Sequence, residues 1–334
     1  MKNGADAPRS RSLLSRLYPR AVVRGAFFVF FVGLCIQMWL FFQWAKGTGP
    51  YVPRPEAVTG MIPVGAYMSF FAWLKTGVYD PVLPAGVTII VGALLLSLLF
   101  KRAFCGFVCP VGAFWEAFSW LGAKVLPRQF HAPRWLDLGL RALRYAFAFA
   151  FVAVLFLLPV AEAVSFQQLP YYAVADIVIL SYFVFLPLWY VGIGVAVAAA
   201  SFFFGNVWCR YICPLGGIYG AVGVLSPTNV VRDADMCVDC GACNQACHAL
   251  VDVQHLTTVR APECDGCQVC VERCPVPGAL ESRFVSRWKL SPWTWAALVV
   301  ALWLLVYVVA LLTGHWTAGL TPDAFKNAIH LQGL

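Results

Sequence analysis

Long apolar runs dominate the chain, and polar residues gather in the stretches between them. A bilayer core is about 30 Å thick and is crossed by a helix of roughly 20 apolar residues. Five stretches meet or approach that length: Ala21–Trp44, Pro81–Phe100, Tyr145–Ala161, Ile177–Phe204 and Trp293–Thr313. The third is short and is expected to extend through its flanks. The fourth contains Pro187, and proline removes a backbone donor and kinks a helix. A short outer piece followed by the span proper is expected there. The first run is too long for the apolar region of a signal peptide and no small-residue cleavage pattern follows, so it reads as a retained helix. The pattern predicts an all-α polytopic membrane bundle of five transmembrane helices.

Residue usage agrees. Hydrophobic residues make up 61% of the 334 positions and charged residues only 12%, where a soluble domain is about a quarter charged. An ordinary soluble enzyme is thereby excluded. An aromatic content of 15% supplies far too much apolar surface for a disordered chain. Lys and Arg number 24 against 16 Asp and Glu, a net charge of +8. These cations are not interleaved with aromatics on one face, so no nucleic-acid partner is expected. They follow the ends of the apolar runs instead, with 20 on one side of the predicted bundle and only Lys46, Arg54, Lys75 and Lys326 on the other. The positive-inside bias puts the N-terminus in the cytoplasm and the C-terminal tail outside, in a bacterial inner membrane.

The chain repeats itself internally. Phe104-Cys105-Gly106-Phe107-Val108-Cys109-Pro110-Val111-Gly112 matches Trp208-Cys209-Arg210-Tyr211-Ile212-Cys213-Pro214-Leu215-Gly216 at an offset of 104 residues. Each copy follows a predicted span at its cytoplasmic end, which implies a parallel repeat about an axis normal to the membrane.

Thirteen cysteines carry the chemistry. Cys237-x2-Cys240-x2-Cys243-x3-Cys247 is followed by Cys264-x2-Cys267-x2-Cys270-x3-Cys274-Pro275, the bacterial ferredoxin run given twice. Two-residue gaps let three thiolates wrap three corners of an iron cubane, and the fourth cysteine reaches the other cluster. Cys237, Cys240, Cys243 and Cys274 are therefore expected to hold one [4Fe–4S] cluster, and Cys264, Cys267, Cys270 and Cys247 a second. Zinc prefers separated CxxC pairs, and a reducing compartment disfavours disulfides. The first run departs from the usual pattern in ending Cys247-His248 rather than Cys-Pro. His248 reads as a solvated loop histidine, with a hydrogen bond toward a cluster sulfur as the sharper alternative.

Cys105, Cys109, Cys209 and Cys213 form the second constellation. CxxxC on a helix puts two thiols on one face, and two copies could bring four thiolates together around a metal or a third Fe–S centre. A thiol/disulfide pair, a partner-docking surface and simple packing are the rival readings. Cys35 reads as a small buried apolar residue. Glu116, Glu162, Asp176, His131 and His315 read as solvated loop or helix-end groups, and Trp39, Trp44, Trp293 and Trp295 as interfacial anchors.

With these motifs the chain resembles the NapH/NosR-type membrane-bound ferredoxins, and within them looks like the YccM-like electron-transport branch. The likeness is carried by Lys101-Arg102-Ala103-Phe104-Cys105, Cys109-Pro110-Val111-Gly112, Pro133-Arg134-Trp135-Leu136-Asp137, Cys209-Arg210-Tyr211-Ile212-Cys213-Pro214, Leu225-Ser226-Pro227, Cys237-Val238-Asp239-Cys240-Gly241 and the second cysteine run, over roughly residues 50–313. It implies a membrane part that takes electrons from quinol and feeds periplasmic or membrane reductases. In some relatives it implies instead the assembly or reductive activation of metalloenzymes.

The organisation read from the sequence is a basic cytoplasmic tail (1–20), a four-helix membrane domain with both CxxxCP motifs (21–226), a small α+β two-cluster ferredoxin-like domain (227–289), and a fifth helix with an external tail (290–334). No dinucleotide or haem motif is present. The expected role is electron transfer between the quinone pool and a partner redox protein, in contact with membrane lipid, rather than stand-alone catalysis. An accessory reductase for metalloenzyme assembly and a cluster-bearing docking subunit are the alternatives. Among the outer segments, the Pro/Gly-interrupted stretches are the candidates for a quinone site.

Overall fold

The computed structural model describes residues 18–126, 130, 132–184, 187–285 and 287–331. Proline opens many of its helices, at the first turn where a missing N–H costs nothing. α1 (Pro19–Ala45), α2 (Pro63–Thr76), α3 (Pro84–Phe100) and α4 (Pro110–Val125) all start this way. α5 (Arg134–Leu157) follows, then the short α6 (Val160–Gln167), α7 (Pro170–Ala173) and α8 (Ala175–Val184), then α9 (Leu188–Phe204) and α10 (Pro214–Gly223). After the sheet region come α13 (Pro292–Leu312) and α14 (Pro322–Leu331), and the Thr321 hydroxyl accepts from the Ala324 amide at the start of α14.

Three helices, α1, α5 and α13, are long and apolar enough to cross a membrane, and α3 and α9 are apolar helices of 17 residues. Large apolar side chains such as Val29, Phe149, Leu157 and Leu188 stand exposed on their outer faces, a surface that lipid solvates and water does not. The third predicted run needs correction. α5 begins eleven positions before Tyr145 and stops at Leu157, because Pro159 disfavours helix in the residue before it. The fourth run is divided as its proline requires, into α8 and α9. Trp295 is not an interfacial anchor: it is fully buried, edge-on against Phe100.

The chain reverses twice in the same way. Lys101 (φ 61°, ψ −155°) caps α3 and Gly205 (φ 84°, ψ −159°) caps α9. Lys101 thus holds a conformation ordinarily reserved for glycine. Each reversal passes through a single π-helical turn (Phe104–Val108 or Trp208–Ile212), and the helix that follows packs on the other half of the repeat, α4 on α9 and α10 on α3. A Cys-Pro step then starts the next helix. Leu215 and Ile218 near the start of α10 pack with Tyr67 and Ile90, whereas Gly223 at its end lies beside Lys101. α10 therefore runs from the middle of α3 toward the end of α3.

Residues 228–290 form a four-stranded antiparallel sheet of order β2-β1-β3-β4, with β1 Thr228–Arg232, β2 Thr258–Val259, β3 Leu280–Phe284 and β4 Trp288–Leu290. Val230 pairs with Ser282 on one side and Val259 on the other. Two short helices, α11 (Ala242–Ala246) and α12 (Val269–Arg273), carry the cysteine loops over this sheet.

Candidate iron–sulfur centres and the seam between them

The fourth cysteine of each run crosses to the other set, as the spacing requires. Cys237, Cys240, Cys243 and Cys274 line one hollow with Gly241 and Pro275. Cys264, Cys267, Cys270 and Cys247 are electrostatic neighbours, and Cys264, Cys270 and Cys247 pack in the cluster of Val230, Val251 and Leu280. The two sets differ in surroundings: Cys240 is exposed, while Cys267 and Cys270 are buried. Burial, reinforced by Asp265, pushes the Cys264 and Cys267 thiols up to about 11. Thiols held that high become thiolates only against a cation. Four convergent sulfurs fit a [4Fe–4S] cluster at each set, and at the second set His248 and Asp265 stand beside Cys267, their ligand atoms within 4.8 Å of its sulfur.

The second set is pressed into the helical body. Gly266 (φ 67°) lies so close that a Cβ there would meet the Phe100 carbonyl oxygen at 2.8 Å and the Trp295 ring at 2.9 Å. A Cβ on Gly220 would meet the Pro262 carbonyl oxygen at 2.7 Å. Between Cys264 and Gly266, the Asp265 carboxylate accepts from His248 Nε2 (2.8 Å) and lies 3.5 Å from Arg20 Nη2.

His248 is thus not a solvated loop histidine. Burial works against its charged form, but Asp265 outweighs burial and holds the ring up at about 10. Its Nδ1 stands 4.0 Å from Cys267 Sγ. Glu116 is also misread as a helix-end group. It ion-pairs with Arg20 (2.7 Å) and with Arg24. Burial alone would raise the Glu116 carboxyl, yet Arg20, His248 and Arg24 bring it down to about 2.

The CxxxCP cysteines come together from the two reversals. Cys105, Cys109, Cys209 and Cys213 all lie within electrostatic reach of one another. Cys109 caps α4 by accepting from the Gly112 amide at 3.4 Å. The N-terminal ends of α4 and α10 start at Cys109 and Cys213, and helix N-termini favour anions. Burial pushes the Cys105 thiol well up and the Cys209 thiol to about 12. Guanidiniums approach from two sides: a Cβ on Gly112 would meet Arg24 Nη2 at 3.3 Å, and one on Gly216 would meet Arg102 Nη1 at 3.6 Å. Four soft donors flanked by two cations and two helix N-termini fit an anionic metal–thiolate group. All thirteen cysteines are free thiols, with Cys35 half-buried.

Sequence reasoning missed the polar cavity between the second set and the CxxxCP set, which is lined among others by Arg102, Arg144, Asn206, Arg210 and Glu263. Its arginines had registered only as markers of orientation. Glu263 faces Arg141 at 3.3 Å, and Asp137 pairs with Arg210 at 2.7 Å. At the opposite end of the helices, Asp176 is buried against Arg54 (2.5 Å), a correction to its reading as a solvated group, while Glu162 is exposed as expected. The Tyr172 hydroxyl donates to Asp80. The His315 ring lies tilted against Tyr79, with centroids 4.2 Å apart, and His131 lies outside the described residues.

A family model described as a 4Fe-4S binding domain matches residues 82–129 and 185–230. Those two segments contain the CxxxCP cysteines rather than the ferredoxin runs. YccM of Escherichia coli, which carries the name of an electron transport protein, is 32% identical over 90% of this chain and 85% of its own length. The ferredoxin-type protein NapH of Escherichia coli is 26% identical over 58% of this chain and 67% of its own. The regulatory protein NosR of Pseudomonas aeruginosa is 26% identical over 63% of this chain and 28% of its own. No solved structure matches the chain.

Proposed function

Because the chain belongs to the NapH/NosR-type family of ferredoxin-type iron–sulfur proteins that includes YccM, we propose that it is a membrane-bound one-electron relay between the quinol pool and a partner redox protein. In this reading α1, α3, α5, α9 and α13 are five spans, with the N-terminus and the sheet domain in the cytoplasm. Cys237, Cys240, Cys243 and Cys274 hold one [4Fe–4S] cluster, and Cys264, Cys267, Cys270 and Cys247 hold another. Cys105, Cys109, Cys209 and Cys213 hold a third centre, a reading supported by the match of a 4Fe-4S family model to both CxxxCP segments. When bound, such clusters supply reversible one-electron chemistry.

The chain's own residues do the rest. Cys240 opens the first set to solvent and to a partner. The valines and Leu280 around the second set exclude water. The observation that carries the reading is the contact at Gly106, next to Cys105, where an added Cβ would meet the Asp265 carbonyl oxygen at 2.9 Å. It joins the second set to the CxxxCP set through main chain alone. The test is EPR on the protein in liposomes, anaerobically, before and after a ubiquinol or menaquinol analogue. The reading expects reduced-cluster signals after one of the quinols. Clusters reducible by dithionite but by neither quinol would overturn it.

A further inference from the structure

Arg102 is buried, at 5% exposure, and has no carboxylate in salt-bridge range among the described residues. Its guanidinium donates to two main-chain carbonyls, Nη1 to Gly216 (3.1 Å) and Nη2 to Glu263 (2.7 Å), and its Nε has no hydrogen-bond partner. Gly216 stands three residues after Cys213, and Glu263 directly precedes Cys264. One cation therefore fastens a CxxxCP loop to the loop of the second ferredoxin set. Its charge faces Cys105, Asp265 and Cys209.

The carboxylates nearby are committed elsewhere. Glu116 is taken by Arg20 and Arg24, Asp265 by His248, and Asp137 by Arg210. Glu263 lies 3.3 Å from Arg141 and 3.8 Å from Arg144. Arg144, a second fully buried cation, adds its repulsion to Arg102. Asp265 acts on Arg102 only beyond salt-bridge range, and a buried charge without a direct ion-pair partner is disfavoured. The reversal itself does not demand this cation, because the position 104 residues on, in the same turn of the other half, is the neutral Asn206. The positive charge is particular to the half that touches the second set.

We propose that Arg102 is the shared counter-cation of two redox centres, the one at Cys105, Cys109, Cys209 and Cys213 and the one at Cys264, Cys267, Cys270 and Cys247. The proposal rests on the reading of the CxxxCP set as a metal-bound centre. Reduction adds negative charge to either centre, and a fixed cation between them favours the reduced form of both. It also offsets the repulsion between electrons held on the two sides of the seam. The first ferredoxin set, on the exposed side of the sheet domain, lies outside this influence. Arg102 acts here as a positioning and charge-compensating residue.

The test compares the wild-type protein with Arg102→Met and Arg102→Lys by EPR-monitored redox titration and by iron analysis. Arg102→Met is expected to lower the midpoint potentials of both seam centres and to leave that of the first set in place. Arg102→Lys, which keeps the charge, is expected to recover most of the shift. A full iron content with unmoved potentials in Arg102→Met overturns the role of Arg102 alone. An iron content that is the same in wild type and in the double variant Cys105→Ser/Cys209→Ser overturns the CxxxCP centre itself, and the proposal with it.

Discussion

Gly106 and Asp265, 159 positions apart in the chain, lie in direct van der Waals contact, so close that no side chain fits between them. The same holds for Gly266 against Phe100 and Trp295. Gly106→Ala must push the sheet domain off the helices, and overpacking of this kind costs about 1–3 kcal/mol. Gly266→Ala adds the strain of a positive φ at a residue with a Cβ. Both variants are expected to lower the thermal midpoint in detergent. Gly266→Ala should also lose the iron of the second set while keeping that of the first. A Gly266→Ala protein with wild-type stability and full iron would show that the seam is not tight.

Glu116 neutralises two buried guanidiniums at once. Glu116→Gln leaves Arg20 and Arg24 without that carboxylate, and breaking a buried pair costs about 3 kcal/mol. Glu116→Asp should cost less. The carboxyl is held at about 2, below its ordinary 4.5, so its contribution is fully present above pH 4.5 and is lost as pH falls toward about 2. The gap between wild type and Glu116→Gln should therefore stay constant between about pH 6 and pH 8. Unfolding midpoints measured across that range check this, and a gap that closes with rising pH would contradict it.

The cross-pairing of the cysteine runs predicts an inverted phenotype. Cys247→Ser lies in the first run but should remove the second cluster's EPR signal. Cys274→Ser lies in the second run but should remove the first. If each substitution instead silenced the cluster of its own run, the assignment of ligands would be wrong.

What could be read along the chain was local. The CxxCxxCxxxC spacing is a short-range constraint, so the grouping of the eight cysteines into two crossed sets and the apolar helices were legible. Pro187 marks a helix end for the same reason, whereas the stop before Pro159 was overlooked and the start of α5 at Arg134 was hidden. Its first turns carry Asp137, Arg141 and Arg144, which look like a loop until their partners, Arg210 and Glu263, are brought from more than 70 positions away. His248 and Glu116 were misread for that same reason: their environments are made by Asp265, Arg20 and Arg24, which no window of sequence contains. Arg102 registered only as one of many cations at the end of an apolar run, and its lack of a carboxylate in salt-bridge range is a purely three-dimensional fact.

The account stands on three cysteine sets that each hold metal. Counting iron and acid-labile sulfide per chain in anaerobically purified protein tests this most directly. The account predicts about twelve of each, falling to about eight when Cys105, Cys109, Cys209 and Cys213 are replaced by serine. About eight in both proteins would contradict the third centre, and an iron-free wild-type chain would contradict the relay as a whole.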